Sequence, residues 1–378
     1  MPLPETQKEP TPRILLVADA WNNLAEMPEF IRQAGYHSDI LCPAGNIARH
    51  SSFVSHWIDS GKSRESLFKS LIDLDRSGLY SYILIGEDPL LWQIYFQPID
   101  ELTHLLPILE PGTRSMMGKI NFARLCNQLN ISTPDFAIIK SQADIDAVVM
   151  QLGLPLVTKV SYSSAGLGVN IFRDREAVQA YVGAYNFEQP LMAQKFIDGE
   201  LLSVEALFCN GRLLEYVCSV ALDAALGPST KRRYMPRIPE VGPALDKLGQ
   251  FTKLHGFANI TFIRELPSGN LFLIEADPRP NKWVPYAHWF GANFVQAFRL
   301  FINNDHLSPA PLLNLLAESK VTHWDIEHFE THLIKLLESG DTLKSVLHLL
   351  DFDNNLRYIP RDPGLLREKT LRLKKRLG

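Results

Sequence analysis

Leu271-Phe-Leu-Ile-Glu275-Ala-Asp277-Pro-Arg279-Pro-Asn281 is an apolar run that ends in three charges spaced two residues apart. Such a run reads as a covered strand, and the strand period of two puts Glu275 and Asp277 on one face. Two carboxylates side by side call for a cation, and hard oxygen ligands suit Mg2+ (or Mn2+). Arg279 continues the spacing and is placed to clamp a phosphate beside that metal. The alternative is a surface ion pair between Asp277 and Arg279, and an apolar strand leading straight into Glu-x-Asp-x-Arg is an unusual way to build one.

Upstream of this stretch the signals are those of hairpins. Asn259–Glu265 and Leu271–Glu275 flank Pro267-Ser-Gly269, and Leu202–Phe208 and Leu213–Val217 flank Asn210-Gly211, a two-residue hairpin turn. Leu156–Val160 and Val169–Phe172 flank the small-residue loop Ser161-Tyr-Ser-Ser-Ala-Gly-Leu-Gly168. Glycines there let backbone N–H groups approach phosphate oxygens, and Lys159 on the strand feeding the loop adds a positive charge. Phe136–Ile139 reads as a strand, and Ser141 caps a helix over Gln142–Leu152. Ser115–Leu129 reads as a helix as well.

The first hundred residues have a different texture. Arg13–Asp19, Ser38–Cys42 and Ser81–Gly86 are short apolar runs separated by helical stretches over Asn23–Ala34 and Ser63–Arg76. That alternation predicts a parallel α/β sheet. Ligands collect at the carboxyl ends of such strands, here Asp19, Ala20 and Gly86-Glu87-Asp88, or these are ordinary loop residues. GxGxxG is absent after the first strand, which argues against a standard dinucleotide site. Beyond the metal strand, helical patterns run over His288–Phe301 and Asp325–Leu337 to a basic end at Arg367–Arg376.

Composition bounds the function. The 378 residues are 46% hydrophobic and 21% charged, which excludes wholesale disorder. Lys and Arg total 38 against 42 Asp and Glu, a formal charge of −4, so the summed field of a nucleic-acid binder is missing. Four scattered cysteines with no CxxC pair read as buried free thiols. Residues 1–12 read as a disordered leader without a signal-peptide core, and no run is long enough to span a membrane. The expectation is a soluble, cytoplasmic protein.

Taken together, these segments resemble the ATP-grasp superfamily, most closely the synthetase halves of carbamoyl-phosphate synthetase. Gly256-Phe-Ala-Asn-Ile-Thr-Phe262 followed by Leu273-Ile-Glu-Ala-Asp-Pro-Arg279 is similar to that family's G-x-x-N-(V/I)-Q-F … (L/I)-I-E-x-N-P-R block. The resemblance covers roughly residues 13–300. It implies α/β and α+β architecture: a Rossmann-like domain over 13–111, then an ATP-grasp fold of antiparallel sheets and helices over 112–305, divided into 112–190 and 191–305. A helical C-terminal tail over 306–378 would follow. It also implies ATP with Mg2+, with Lys119 and Lys159 on the phosphates and Ser164, Gly166 and Gly168 closing over them. Gln194, Lys195, Phe196 and Ile197 would form the adenine hinge, the main chain of Lys195 and Ile197 reading the base edge. Glu275 and Asp277 would hold the metal, and Arg279 would steady the transferred phosphoryl group.

Three positions depart from the family's pattern. Asp277 stands where Asn is usual, Thr261 where Gln, Glu or Asp is usual, and Leu201 where Glu is common, which shifts ribose or metal contacts to Glu200 or Glu205. The activity implied is a C–N ligase that activates a carboxylate as an acyl phosphate and joins it to an amine or similar nucleophile. A kinase-like enzyme and a catalytically weakened nucleotide-binding module fit the same residues. Partners would be small-molecule acids and amines, with no nucleic acid and no membrane span, and a homodimer is left open. Lys231-Arg232-Arg233 reads as a basic connector loop, where Arg232 or Arg233 would bind the acidic group of the substrate. His328, Glu330 and His332 have metal-clasp spacing on a helix, and a solvated helix face explains them better.

Overall fold

The computed structural model describes residues 11–97, 99–164, 166–222, 229–303, 320–328, 356–358 and 361–377. Four short parallel strands open the chain: β1 (Arg13–Val17), β2 (His37–Cys42), β3 (Val54–Asp59) and β4 (Tyr82–Ile85), ordered β3-β2-β1-β4. The first and fourth are the continuous apolar runs expected of strands covered on both faces, and the second is buried beyond His37 although it carries Ser38 and Asp39. β3 was not anticipated. It lies at the sheet edge with most of its side chains exposed, so Val-Ser-His-Trp-Ile-Asp carries no apolar run to read. Helices α1 (Met27–Gln33), α2 (Arg64–Arg76) and α3 (Asp88–Phe96) complete this domain. Ser63 caps α2 by accepting from Ser66 N, as helix-start chemistry predicts.

The helix expected over Ser115–Leu129 is a 3-10 turn (Pro111–Met117) and then α4 (Lys119–Gln128). Gly118 joins them in extended backbone, and a Cβ there would lie 2.6 Å from the Tyr162 ring. A four-stranded antiparallel sheet follows, from β5 (Phe136–Ile139), β6 (Leu156–Val160), β7 (Val169–Phe172) and β8 (Leu191–Lys195), ordered β5-β8-β6-β7. Helices α5 (Ile145–Leu152) and α6 (Arg175–Ala184) close its core around Ile139, Leu156, Val178 and Leu191.

The largest sheet contains β9 (Gly199–Cys209), β10 (Arg212–Ala221), β11 (Lys231–Met235), β12 (Gly256–Glu265), β13 (Leu271–Asp277), β14 (Trp324–His328) and β15 (Leu356–Tyr358). Their order is β13-β12-β9-β10-β11-β14-β15, antiparallel except for the β14–β15 pair. Asn210 and Gly211 turn β9 into β10 with both φ angles positive, the requirement of a type I′ turn. Helix α7 (Val241–Thr252) packs on one face of the sheet; α8 (Phe294–Ile302) joins its Leu207–Phe257 region to α1 in a second core.

Two expectations are corrected here. Lys231–Met235 is a strand, because Arg232 and Tyr234 point inward while Arg233 points out, an alternation masked by an inward arginine. Asp325 lies in β14, not in a helix; the rest of 325–337 beyond His328 falls outside the described residues, as do Glu330 and His332. The C-terminal segment is therefore not purely helical, since β14 and β15 extend the large sheet past residue 305. Its basic helix α9 (Pro363–Leu377) is docked on the first domain, with Asp362 accepting from Ser51 and Ser52, and Lys369 pairing with Glu26 at 3.0 Å. All four cysteines are buried, and no two of them form a disulfide. Among the described residues no helix is long and apolar enough to cross a membrane.

Candidate active site

The hairpin β12–β13 sets the site. Glu275 lies opposite Thr261, and Asp277 opposite Asn259, and the two rows continue onto β9 as Ser203 and Glu205. Strand parity thus turns Glu275 and Asp277 to the same side as Ser203, Glu205, Asn259 and Thr261.

Both candidate lysines come from the other side of the cleft. Lys119 begins α4, tied down by its own N–H to Ser161 O (3.1 Å), and its Nζ reaches Glu275 Oε1 at 2.9 Å and the Ser163 carbonyl. Lys159 on β6 is buried and donates to Gln194 Oε1 at 2.7 Å. Burial pulls the Lys159 pKa down to about 8, against the attraction of Glu275 and with a further push from the Lys119 charge. The loop after β6 turns tightly through Gly166 and Gly168, both at positive φ, with Leu167 N donating to Ser164 O at 3.0 Å. Ala165 within it lies outside the described residues.

Gln194 and Lys195 end β8, and Phe196 and Ile197 lead into β9. The Lys195 N–H already donates to Asp135 O at 2.8 Å, so any contact of its main chain with a base rests on the carbonyl.

Arg279 is held on several sides. It forms a bidentate pair with Asp88 (2.7 and 2.6 Å), a third bond to Asp277 (2.8 Å), and lies 5.1 Å from the centre of the Trp21 ring. Burial opposes its charge, yet Asp88 and Asp277 hold its pKa above the ordinary arginine value. Burial pushes the Asp277 carboxyl well up, Asp88 and Glu275 push it further, and Arg279 works the other way. A divalent cation between Glu275 and Asp277 would relieve that crowding, so the donor set fits Mg2+. Among the described residues no group of three His, Cys, Asp or Glu side chains is arranged to hold a metal ion. Glu275 and Asp277 would be the protein's two carboxylate ligands to such a cation.

Three expected contacts are corrected by the geometry. Glu205 is fully buried, accepts from Asn259 Nδ2 at 3.0 Å, and lies 3.5 Å from Arg232 Nη1, so its carboxylate is engaged within the sheet. Burial raises its pKa to about 7 despite Arg232, Arg279 and Asn259. Glu200 pairs with Arg264 instead. The basic triplet is split by strand parity, with Arg232 buried on the site face beside Ser219 (3.2 Å) and Arg233 exposed in a bidentate pair with Asp325 (2.7 and 2.9 Å). Only Arg232 remains a candidate for substrate.

Sequence comparison bears on this arrangement directly. The model of the ATP-grasp domain family matches residues 124–218. That stretch is similar to the ATP-grasp domain. It is 32% identical over 92 residues to D-alanine–D-alanine ligase of Chromohalobacter salexigens, an alignment covering 24% of this chain and 29% of that one. It is 23% identical over 254 residues to the carbamoyl phosphate synthase large chain of Methanobrevibacter smithii, covering 62% of this chain and 23% of that one. The chain thus spans less than a third of the length of these relatives. Among solved structures, the biotin carboxylase domain of Hydrogenobacter thermophilus 2-oxoglutarate carboxylase, determined with MgADP and bicarbonate, superposes with a TM-score of 0.66. That match has 16% identity and covers 82% of this chain and 72% of the other, a likeness that establishes the fold.

The structure places Lys119, Lys159, Gln194, Glu275, Asp277 and Arg279 near one another. Asp88 was flagged only as the end of a strand, and Trp21 not at all. Asp88 sits beside the fourth strand's carboxyl end, so strand-end position was the available signal for it; Trp21 had none, being a single aromatic in a loop.

Proposed function

We propose that this protein is an ATP- and Mg2+-dependent ligase that activates a carboxylate as an acyl phosphate and joins it to an amine or similar nucleophile. The observation that carries the reading is the facing of two lysines, Lys119 and Lys159, toward the Glu275 and Asp277 strand, with Arg279 at its end. When bound, Mg2+ supplies charge neutralisation and orientation of the phosphate oxygens. Lys119 and Lys159 neutralise the triphosphate from the side opposite the carboxylates. Charge builds on the transferred phosphoryl group, and Arg279 is prepositioned to meet it without reorganisation. The loop of Ser164, Gly166 and Gly168 closes over the phosphates, and the Gln194–Ile197 segment takes the base. The incoming amine then attacks the acyl carbon, the C–O bond to phosphate breaks and inorganic phosphate leaves as the C–N bond forms, and no serine or cysteine nucleophile is called on.

The test is release of ADP and phosphate from Mg-ATP with panels of carboxylates, with hydroxylamine present to trap acyl phosphates as hydroxamates. Acid-dependent ADP release with hydroxamate formation supports the ligase. A stable phosphorylated product would instead support the kinase-like reading, and nucleotide binding without acid-dependent turnover would support the weakened module.

A further inference from the structure

The carboxyl ends of the first domain's strands are where a parallel α/β sheet ordinarily takes a ligand. Here that crevice is filled by the chain itself. Three consecutive backbone amides after β1, those of Asp19, Ala20 and Trp21, donate to the buried carboxylate of Glu87 at 2.6, 3.2 and 2.8 Å. The carbonyls of the same turn are also engaged, since Asn46 Nδ2 donates to Asp19 O and Trp21 O at 3.1 and 3.0 Å. A turn fixed through both its amides and its carbonyls presents a rigid surface. What it presents is the Trp21 ring against the Arg279 guanidinium. The residue after Glu87 is Asp88, buried at the start of α3, which takes Arg279 in two parallel bonds. A fork-to-carboxylate pair fixes the plane of the guanidinium, and a ring on its face restricts what rotation remains.

We propose that the first domain serves the reaction as a positioning device for Arg279: Asp88 and Trp21 aim the guanidinium, and Glu87 holds Asp88's neighbour turn in place. The catalytic domain alone supplies Arg279 with one carboxylate, Asp277, among the bonds described. Asp88 carries the restraint across 191 residues of sequence. With Arg279 fixed by Asp88, Asp277 is left able to exchange its bond to Arg279 for a metal ion without releasing the arginine. This inference rests on the ligase reading for the use of Arg279 and on the geometry alone for its restraint.

The test uses the full chain labelled with 15N-arginine. The Arg279 Nε–H resonance is assigned by its disappearance in Arg279→Lys, and its hydrogen exchange is measured without nucleotide. Asp88→Asn is expected to speed that exchange about tenfold or more, and Trp21→Leu to speed it less. In Mg-ATP turnover Asp88→Asn is expected to lower kcat about tenfold while KM for ATP and nucleotide stoichiometry stay within about twofold. A purely structural role would lower stoichiometry and kcat together. Exchange unchanged in both variants, or kcat per bound nucleotide unchanged, overturns the proposal. If Asp88→Asn does not fold, Trp21→Leu, which removes no buried charge, carries both comparisons. A wild-type chain that binds no Mg-ATP would defeat the ligase reading, and the exchange measurement would still decide the restraint.

Discussion

Lys159 and Asp277 have pKa values displaced in opposite directions by burial, and each displacement makes a prediction. Lys159 ionises near pH 8, below the ordinary lysine range. A bound triphosphate favours its protonated form, so Mg-ATP affinity is expected to fall as pH rises above about 8. Proton uptake on binding should be visible by calorimetry in buffers of different ionisation heat, and Lys159→Met should remove both effects. The sign for stability is opposite. Between pH 8 and the ordinary lysine value the unfolded chain holds the proton that the folded chain has lost, so Lys159 makes the apo protein more stable as pH rises through that window. Asp277 has the reverse displacement, its carboxyl raised by burial and by Asp88 and Glu275. Asp277→Asn keeps the shape and an oxygen ligand and removes the repulsion, so the apo melting temperature should hold or rise; Asp277→Ala, which removes the ligand, should stop Mg2+ from strengthening nucleotide binding. A collapse of the apo melting temperature would show that the Asp277 bond to Arg279 is needed for the fold.

The strand β11 shows how one element assigns unlike fates to adjacent arginines. Arg233 is exposed and Asp325 half-buried at the surface, and a surface pair of this kind is worth under about 1 kcal/mol. Arg233→Ala should therefore leave both stability and nucleotide binding nearly unchanged. Arg232 is buried with Glu205, Ser219 and the Trp283 ring around it. Arg232→Ala should cost about 3 kcal/mol in urea unfolding, the low end for a broken buried pair, because Glu205 already sits near pH 7 and can take a proton. Equal costs for the two variants would contradict the strand assignment. The glycine loop is a second element-scale case. Gly168 has φ +71, and a Cβ there would lie 2.8 Å from the Val160 side chain. Gly168→Ala should weaken ATP binding with little change in global stability, since the loop carries few core contacts.

At the scale of the whole molecule, the cleft is bridged by Lys119–Glu275 and the domains by Arg279–Asp88. On the proposed reading, Lys119 would exchange Glu275 for phosphate and Glu275 would be freed for the metal, an exchange of partners rather than the burial of new unpaired charge. Ligand binding to the folded state alone should stabilise it by about 2.7 kcal/mol at 100 times the dissociation constant. Thermal unfolding with ATP, with Mg2+ and with both checks this, and the full shift is expected only with both. No shift at millimolar concentrations would remove the nucleotide site.

Local chemistry made much of this legible in the sequence. Apolar runs marked β1 and β4, the Ile40–Cys42 end marked β2, Asn210-Gly211 marked the β9–β10 turn, and a spacing of two placed Glu275 and Asp277 on one face. Each follows from backbone period or turn preference, which the chain carries within a few residues. Other strands were a different matter. β3, at a sheet edge, exposes most of its side chains, and β11 turns an arginine inward, so their patterns resemble loops until a neighbouring strand supplies the hydrogen bonds. Partner choice was likewise decided only by the tertiary structure. Asp88 meets Arg279, Glu205 meets Arg232 and Asn259, and Arg233 meets Asp325 across separations that no local period encodes. Which charge is neutralised, and which is left to act, depends on what folding buries beside it.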